Sequence, residues 1–241
     1  MERIVYDQMA ELDQRHWWYR ARREVLAALI RRTGVPAHAR ILEIGCGTGH
    51  NLAMLSEFGE VDALELDAAA RKIAAKRLGR PVMKAPLPEL KGVPAAHYDL
   101  IGAFDVIEHI DDDVAALASI ATRLKPGGKL VITVPAHPWM WSAHDVVNHH
   151  QRRYSKRSLK ALVDGSPLKL ERIGHLNSLL FPAAVAERLW SKVRGKDDAD
   201  LALPAKPLNA ALERVFALER YAVGRLPLPP GLSLFAVASA T

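Results

Sequence analysis

Ile41-Leu-Glu-Ile-Gly-Cys-Gly-Thr-Gly-His50 is the stretch that decides the fold. An apolar run carrying one acid, Glu43, stops at Gly45, and Gly45, Gly47 and Gly49 then alternate with Cys46 and Thr48. The pattern predicts a buried parallel strand entering a tight turn that a helix must leave at once. Glycine adopts dihedrals that a Cβ forbids and lets a ligand lie against the main chain. The helix N-terminus beyond the turn offers unpaired N–H groups to that ligand. The spacing is Gly-x-Gly-x-Gly, which differs from the Gly-x-Gly-x-x-Gly of dinucleotide sites.

Around this stretch, 241 residues suffice for one α/β core with an appended lobe. A composition of 49% hydrophobic and 25% charged residues is that of an ordinary globular chain. The single cysteine, Cys46, excludes an internal disulfide framework and suits a reducing compartment. Its place inside the glycine turn reads as a small buried residue. Met1–Asp7 lacks the apolar core of a signal peptide, and no apolar run reaches the roughly 18–20 residues of a membrane span. The expectation is a cytoplasmic protein. A net charge of +6 without a dominant basic run reads as a solvated surface, and no nucleic-acid partner is expected.

Toward the N-terminus, Leu12–Arg32 reads as one amphipathic helix that Gly34-Val35-Pro36 ends. Within it, His16-Trp-Trp-Tyr-Arg-Ala-Arg-Arg23 sets three aromatics beside three arginines. Two readings stand: packing that caps the core, or a lid whose aromatics shield a reacting centre while an arginine pairs with a carboxylate. Toward the C-terminus, His50–Phe58 reads as a helix and Val61–Asp67 as a strand. Glu65 lies near the end of that strand, where open α/β sheets place a carboxylate for ribose hydroxyls. Asp67 caps a helix over Ala68–Leu78. Pro81–Lys84 reads as a short strand, Pro86–Ala96 as a loop, and Tyr98–Asp105 as a strand ending in Asp105-Val-Ile-Glu108-His109. A helix to about Leu124, the turn Lys125-Pro-Gly-Gly128 and a strand over Lys129–Pro135 follow.

Ala136–Tyr154 leaves the carboxyl edge of the sheet carrying His137, His144, His149 and His150 with Trp139 and Trp141. Loops at that edge carry function more often than packing. Ser158–Val163 reads as a helix, with strands over Leu168–Gly174 and Leu232–Ser239. Between those strands stand an apolar segment (Ser178–Val193), a charged bend (Gly195–Asp200) and an amphipathic helix (Leu208–Leu226).

Three blocks carry a family resemblance: Glu43 with its Gly-x-Gly-x-Gly, Asp105-x-x-Glu108-His109, and Leu124-Lys-Pro-Gly-Gly128. With them the chain resembles the class I S-adenosylmethionine (SAM)-dependent methyltransferases over Ile41–Pro135. Its core is similar to ubiquinone-pathway O-methyltransferases. The His-Trp-Trp-Tyr helix and the histidine-rich loop are similar to a bacterial subgroup of that family. The resemblance implies a Rossmann-like α/β fold: a seven-stranded, mostly parallel sheet with helices on both faces and the last strand antiparallel. It implies a single domain with an N-terminal helical lid (residues 1–35) and a helical insertion (residues 176–228). SAM is the implied cofactor, held by Tyr19, Arg22, Glu43, Gly45, Cys46, Gly47, Gly49, Glu65, Leu66, Ala85, Phe104 and Asp105. Ala85-Pro86 stands where many relatives carry an acid toward the adenine.

A sulfonium methyl is already activated, so such an enzyme aligns the acceptor, excludes water and deprotonates a poor nucleophile. A hydroxyl acceptor needs a base, and histidine suits neutral pH. His144 and His109 are the candidates, with Asp145 as orienting partner, and His137, Trp141, His150, Arg153 and Tyr154 as acceptor contacts. Asp105, Glu108 and His109 also resemble the segment with which small-RNA 2′-O-methyltransferases bind a divalent ion, but no metal is expected here. The leading reading is O-methylation of a small molecule by a monomer or homodimer. One alternative is a lipid-linked or glycan acceptor at a membrane surface, suggested by the apolar Ser178–Val193 followed by basic residues. The other is a SAM-binding regulatory protein without turnover.

Overall fold

Ala39–Ile44 (β1), Gly59–Leu64 (β2), Tyr98–Phe104 (β3), Leu124–Pro135 (β4), Leu168–Leu176 (β5) and Ser233–Ala240 (β6) form one sheet in the order β2-β1-β3-β4-β6-β5. The structure is a computed structural model that describes residues 10–194 and 203–241. The charged bend Gly195–Asp200 and Lys196, and the side chains of Lys192 and Arg194, lie outside the described residues. Pairing is parallel from β2 through β4, and β6 runs antiparallel to both β4 and β5. Ile41 packs on one side of the sheet with Ala21, Val25, Leu26 and Leu29, while Leu42 packs on the other with Leu117, Ile120 and Leu159. A strand covered on both faces must be apolar at nearly every position, and Ile41–Ile44 is buried throughout, Glu43 included.

The sheet has six strands where the sequence implies seven. Pro81–Lys84 contributes a single parallel bridge, Leu64 with Met83: Met83 N–H donates to the Ala63 carbonyl and Glu65 N–H to the Met83 carbonyl. Pro81 and Pro86 flank the bridge without a backbone donor, so the ladder cannot lengthen. Lys125–Gly128 is a bulge inside β4, across which the register jumps from Tyr98–Leu124 to Leu100–Lys129.

The helices are Trp17–Arg31 (α1), Leu52–Leu55 (α2), Ala68–Leu78 (α3), Asp113–Ala121 (α4), Ala143–Val147 (α5), Lys156–Asp164 (α6), Phe181–Arg194 (α7) and Lys206–Ala217 (α8). The expected helix over Leu12–Arg32 breaks at Asp13–His16, where His16 Nδ1 accepts the Trp18 N–H and caps α1. Asp13, fully buried, is drawn out of helical geometry by Arg77 at 2.5 Å and the Thr48 hydroxyl at 3.2 Å. The helix expected over His50–Phe58 shrinks to α2. Asp67 caps α3 by accepting the Ala69 and Ala70 N–H groups. Helix α8 packs on α1: Asn209 accepts the Trp17 N–H at 3.0 Å, Arg20 pairs with Glu213, and Phe216 meets Trp17 edge-on. Among the described residues no helix is long and apolar enough to cross a membrane.

Candidate cofactor and acceptor cavity

The carboxyl ends of β1, β3 and β4 open into a cavity of about 800 Å³. Open α/β sheets bind ligands at this edge, where neighbouring strands feed connections to opposite faces. One wall is the glycine turn. Gly45 and Gly47 line it at φ +66° and +56°, and a Cβ on Gly45 would stand 2.7 Å from Val106 Cγ2. Glu65, just past β2, lines the same wall. Its two oxygens accept the Gly47 and Asp67 N–H groups at 2.8 Å each. Leu66, Ala85, Pro86 and Leu87 continue the wall.

Opposite the turn, Arg22 of α1 is buried and donates through Nη2 to Asp105 at 2.5 Å and to the Thr133 hydroxyl at 2.6 Å, while Trp18 covers its guanidinium at 4.6 Å. Its Nη1 is buried and has no hydrogen-bond partner among the described residues. Asp105 adopts φ +57°, a conformation costly for a residue with a Cβ, and such strain gathers at ligand sites. Tyr19 closes this end against His50. Burial, with Asp13 nearby, pushes the Tyr19 hydroxyl up to about 12, and burial with Arg22 pushes His50 down to about 3.

The far end carries the histidines. Glu108, His109, His144, Asn148, His150 and Arg153 all face the cavity. Glu108 is fully buried, both its oxygens lack a hydrogen-bond partner among the described residues, and burial beside Asp105 raises its carboxyl well above the usual range. Burial and His150 lower His109 to about 4, and His144 falls below its ordinary value for the same two reasons. One atom each of Glu108, His109 and His150 lies within 4.8 Å of the others. These ligand types at this spacing could hold a metal ion.

A family model described as a methyltransferase domain matches residues 17–172, well over half of the chain. The chain belongs to the class I SAM-dependent methyltransferases. The chain is 30% identical over 175 residues to trans-aconitate 2-methyltransferase of Azoarcus sp., covering 71% of this chain and 65% of the relative. It is 29% identical over 104 residues to the ubiquinone biosynthesis O-methyltransferase of Xanthomonas axonopodis pv. citri, covering 41% and 44%. The chain thus spans less than two thirds of the length of these curated relatives. Its fold matches a SAM-dependent methyltransferase of Archaeoglobus fulgidus (TM-score 0.56, 17% identity, covering 90% and 94%). It also matches geranyl diphosphate methyltransferase in complex with SAM (TM-score 0.60, 15% identity, covering 93% and 91%).

The chemistry of the cavity lining fits SAM. The orphaned Arg22 Nη1 suits the methionyl carboxylate, Gly45 and Gly47 leave room against the main chain, and Glu65 suits the ribose. The wall from Leu66 to Leu87 suits the adenine, with apolar and backbone groups replacing the missing acid. Of the cofactor residues expected from the sequence, Tyr19, Arg22, Gly45, Gly47, Glu65, Leu66, Ala85, Phe104 and Asp105 line the cavity. Glu43, Cys46 and Gly49 stand behind it. Glu43 accepts from Asn51 at 2.8 Å, Cys46 donates to the Gly47 carbonyl, and a Cβ on Gly49 would meet Leu52 and Ala74. Their part is to hold the turn.

Of the acceptor-side residues, His109, His144, His150 and Arg153 line the cavity, and His137, Trp141 and Tyr154 do not. His137 stacks on His175 and binds the Gly231 carbonyl, Trp141 is part-exposed outside the cavity, and the Tyr154 hydroxyl donates to Asp113 at 2.7 Å. Asp145 sits one layer back and pairs with His150, not with His144. His50, Asn148, Arg188 and Ser233 also line the cavity without having been singled out. Asn148 follows His144 by four residues and so shares its helix face, a signal the sequence did carry. Arg188 and Ser233 come from distant segments with no local signal.

Proposed function

We propose that this chain transfers the methyl group of SAM to a hydroxyl of a small-molecule acceptor bound at the histidine end of the cavity. One observation carries the reading: a single cavity joins the cofactor wall, with Arg22, Gly45, Gly47 and Glu65, to a wall carrying His109, His144 and His150. When bound, SAM supplies a methyl on a positively charged sulfur that leaves to an in-line nucleophile. The chain's own residues hold it and shield it. Arg22 takes its carboxylate and Glu65 its ribose, while Trp17, Trp18 and Tyr19 exclude water from the reacting face. An amine already carries a free pair once neutral, whereas a hydroxyl needs its proton removed, and the imidazoles of His109, His144 and His150 stand at that end of the cavity to receive it. The names of two relatives, an O-methyltransferase and a methyltransferase of a small acid, agree with the reading.

The test is calorimetric titration of SAM into wild type, Glu65→Ala and Gly47→Val, then an acceptor screen with methyl-labelled SAM. Binding by wild type alone, followed by label on a hydroxyl compound, is the expected result. Label found only on amines would redirect the chemistry, and a wild type that binds no SAM would remove the reading altogether.

One observation favours a second reading, an acceptor presented at a membrane surface. Trp139, at 55% exposure, and Trp190, at 58%, stand on the loop and helix from which Met140 and Arg188 line the cavity. Exposed tryptophans beside an opening suit an interfacial substrate. Flotation with anionic vesicles decides it, since a protein left wholly at the bottom of the gradient acts on a soluble acceptor.

A further inference from the structure

Two side chains at the cofactor end of the cavity carry buried nitrogens with no hydrogen-bond partner among the described residues: Nη1 of Arg22 and Nδ1 of His50. Both residues line the cavity. A buried polar atom left without a partner is costly, so an orphan beside a cavity calls for an occupant. Arg22 is accounted for by the methionyl carboxylate. His50 is not.

The chain fixes His50 on both sides. Gly49 N–H before it donates to the Cys46 carbonyl at 2.8 Å, and the Asn51 amide after it donates to Glu43 at 2.8 Å. The Tyr19 ring meets the imidazole edge-on, with centroids 5.1 Å apart. The charged and titratable groups around it are Tyr19, Arg22 and Arg23 from α1, Arg77 from α3, and Asp13 ahead of α1, which binds Arg77. Burial and the three arginine charges hold the ring down at about 3, so it is neutral at physiological pH. A neutral imidazole keeps one lone pair and can accept a hydrogen bond from a cation.

The neighbouring acceptors have other partners. Asp105 is held by Arg22, His16 Nδ1 accepts the Trp18 N–H, and Glu65 is matched to the ribose. Tyr19, raised to about 12, keeps its proton.

We propose that His50 reads the methionyl ammonium of SAM, so that Arg22 and His50 together select an intact amino-acid end. The inference rests on the SAM reading of the cavity. The burial and the arginine charges that disfavour an imidazolium also disfavour a bare ammonium. In SAM the ammonium arrives with a carboxylate on the same carbon, and the pair brings no net charge. Arg22 takes the anion and His50 the cation. This wall therefore ranks ligands. One that loses the ammonium forfeits the His50 bond alone. One that loses the carboxylate forfeits the Arg22 bond and also sets a lone positive charge among three arginines.

Calorimetric titration of S-adenosylhomocysteine and two truncated forms tests this without any acceptor. S-adenosyl-4-thiobutyrate lacks the amine, and S-adenosyl-3-thiopropylamine lacks the carboxylate. In wild type the thiobutyrate should bind about 10–100-fold more weakly than S-adenosylhomocysteine, the range for a hydrogen bond to a charged group. The thiopropylamine should bind more weakly still. His50→Phe keeps a ring against Tyr19 and removes the lone pair. It should bind S-adenosylhomocysteine and the thiobutyrate with equal affinity, because the amine has lost its partner. His50→Gln restores an acceptor and should recover part of the difference. A ring with a merely structural role would weaken all three ligands by one factor in His50→Phe, and that result overturns the inference. So does a wild type that binds S-adenosylhomocysteine and the thiobutyrate alike. An unchanged gap between those two ligands in His50→Phe also overturns it, since the ammonium then rests on main-chain carbonyls of the glycine turn. Each of these failures leaves S-adenosylhomocysteine bound, whereas a wild type that binds neither it nor SAM sinks the SAM reading itself.

Discussion

Glu43 is a carboxylate placed where water cannot reach it, and its effect has a sign. Burial raises it to about 8, against the Asn51 amide that favours ionisation and with Glu65 adding to the rise. The folded chain therefore keeps a proton that the unfolded chain, near 4.5, gives up. Stability is fully present below 4.5 and is lost as pH climbs through 8. Glu43→Gln keeps the acceptor for Asn51 and has no proton to lose. It should remove that alkaline decline, by an amount on the order of a few kcal/mol, in urea unfolding compared at about pH 5 and pH 9. His50 acts from the other side: lowered to about 3, it costs stability as pH falls from 6.5 toward 3. Gly49 makes a second residue-scale prediction. At φ +85°, a Cβ there would stand 2.6 Å from Leu52 Cδ1 and 3.1 Å from Ala74. Gly49→Ala should cost about 1–3 kcal/mol in denaturant unfolding while the folded fraction still binds SAM. The motif was legible as a turn that takes a ligand. It did not show that its first two glycines face the cavity and its third faces the core, since that depends on where α3 passes.

Elements were read best where a local device set their ends. Asp67 and Gly79 bracket α3 at the bounds the sequence suggests, since a capping carboxylate and a left-handed glycine act within a few residues. The Asp13 break was not legible, because its cause is a contact with Arg77, 64 residues away. The same distance hid the directions of the acceptor loop. Spacing placed His137, Trp141 and Tyr154 beside His144 and His150 along the chain, and the turn at His137, φ +59°, sends them elsewhere. The Asp13 contact suggests how α1 behaves as an element. Thr48, between two glycines of the turn, and Arg77 of α3 both hold the segment that precedes His16, Trp17 and Trp18 over the cavity. A cofactor leaving past α1 has to displace that segment. Asp13→Asn removes a charge-assisted bond worth about 1.5–3 kcal/mol, so SAM should dissociate at least tenfold faster by stopped-flow fluorescence of the cavity tryptophans. An unchanged off-rate would mean that SAM enters from the acceptor side, past α7.

At the scale of the molecule the cavity is assembled from residues between His16 and Ser233, on α1, the sheet edge, the histidine loop and the segments around α7 and α8. That breadth explains what the sequence could yield. The expected cofactor half lies mostly in contiguous motifs from Ile41 to Asp105, with Tyr19 and Arg22 added from α1, whereas the acceptor half joins the histidine loop to Arg188 and Ser233, whose meeting exists only after folding. The same breadth makes cofactor binding a probe of the whole chain. Helix α1 contributes Arg22 and Trp18 and is itself held by Asn209, Glu213 and Phe216 of α8. A ligand on Arg22 must therefore stabilise α8 together with the sheet. At a hundredfold excess over its dissociation constant, a ligand of the folded state alone adds about 2.7 kcal/mol, which for a chain of this size raises Tm by about 5–10 °C. S-adenosylhomocysteine should produce that shift in one cooperative melt. Arg22→Lys should lose most of it at the same concentration, because a single ammonium cannot hold Asp105 and the cofactor carboxylate in the fork geometry of the guanidinium. If the ligand moved one transition and left an earlier one in place, α1 and α8 would be a separately folding lid, and the Arg22 contact would form only after the sheet had already bound the nucleoside.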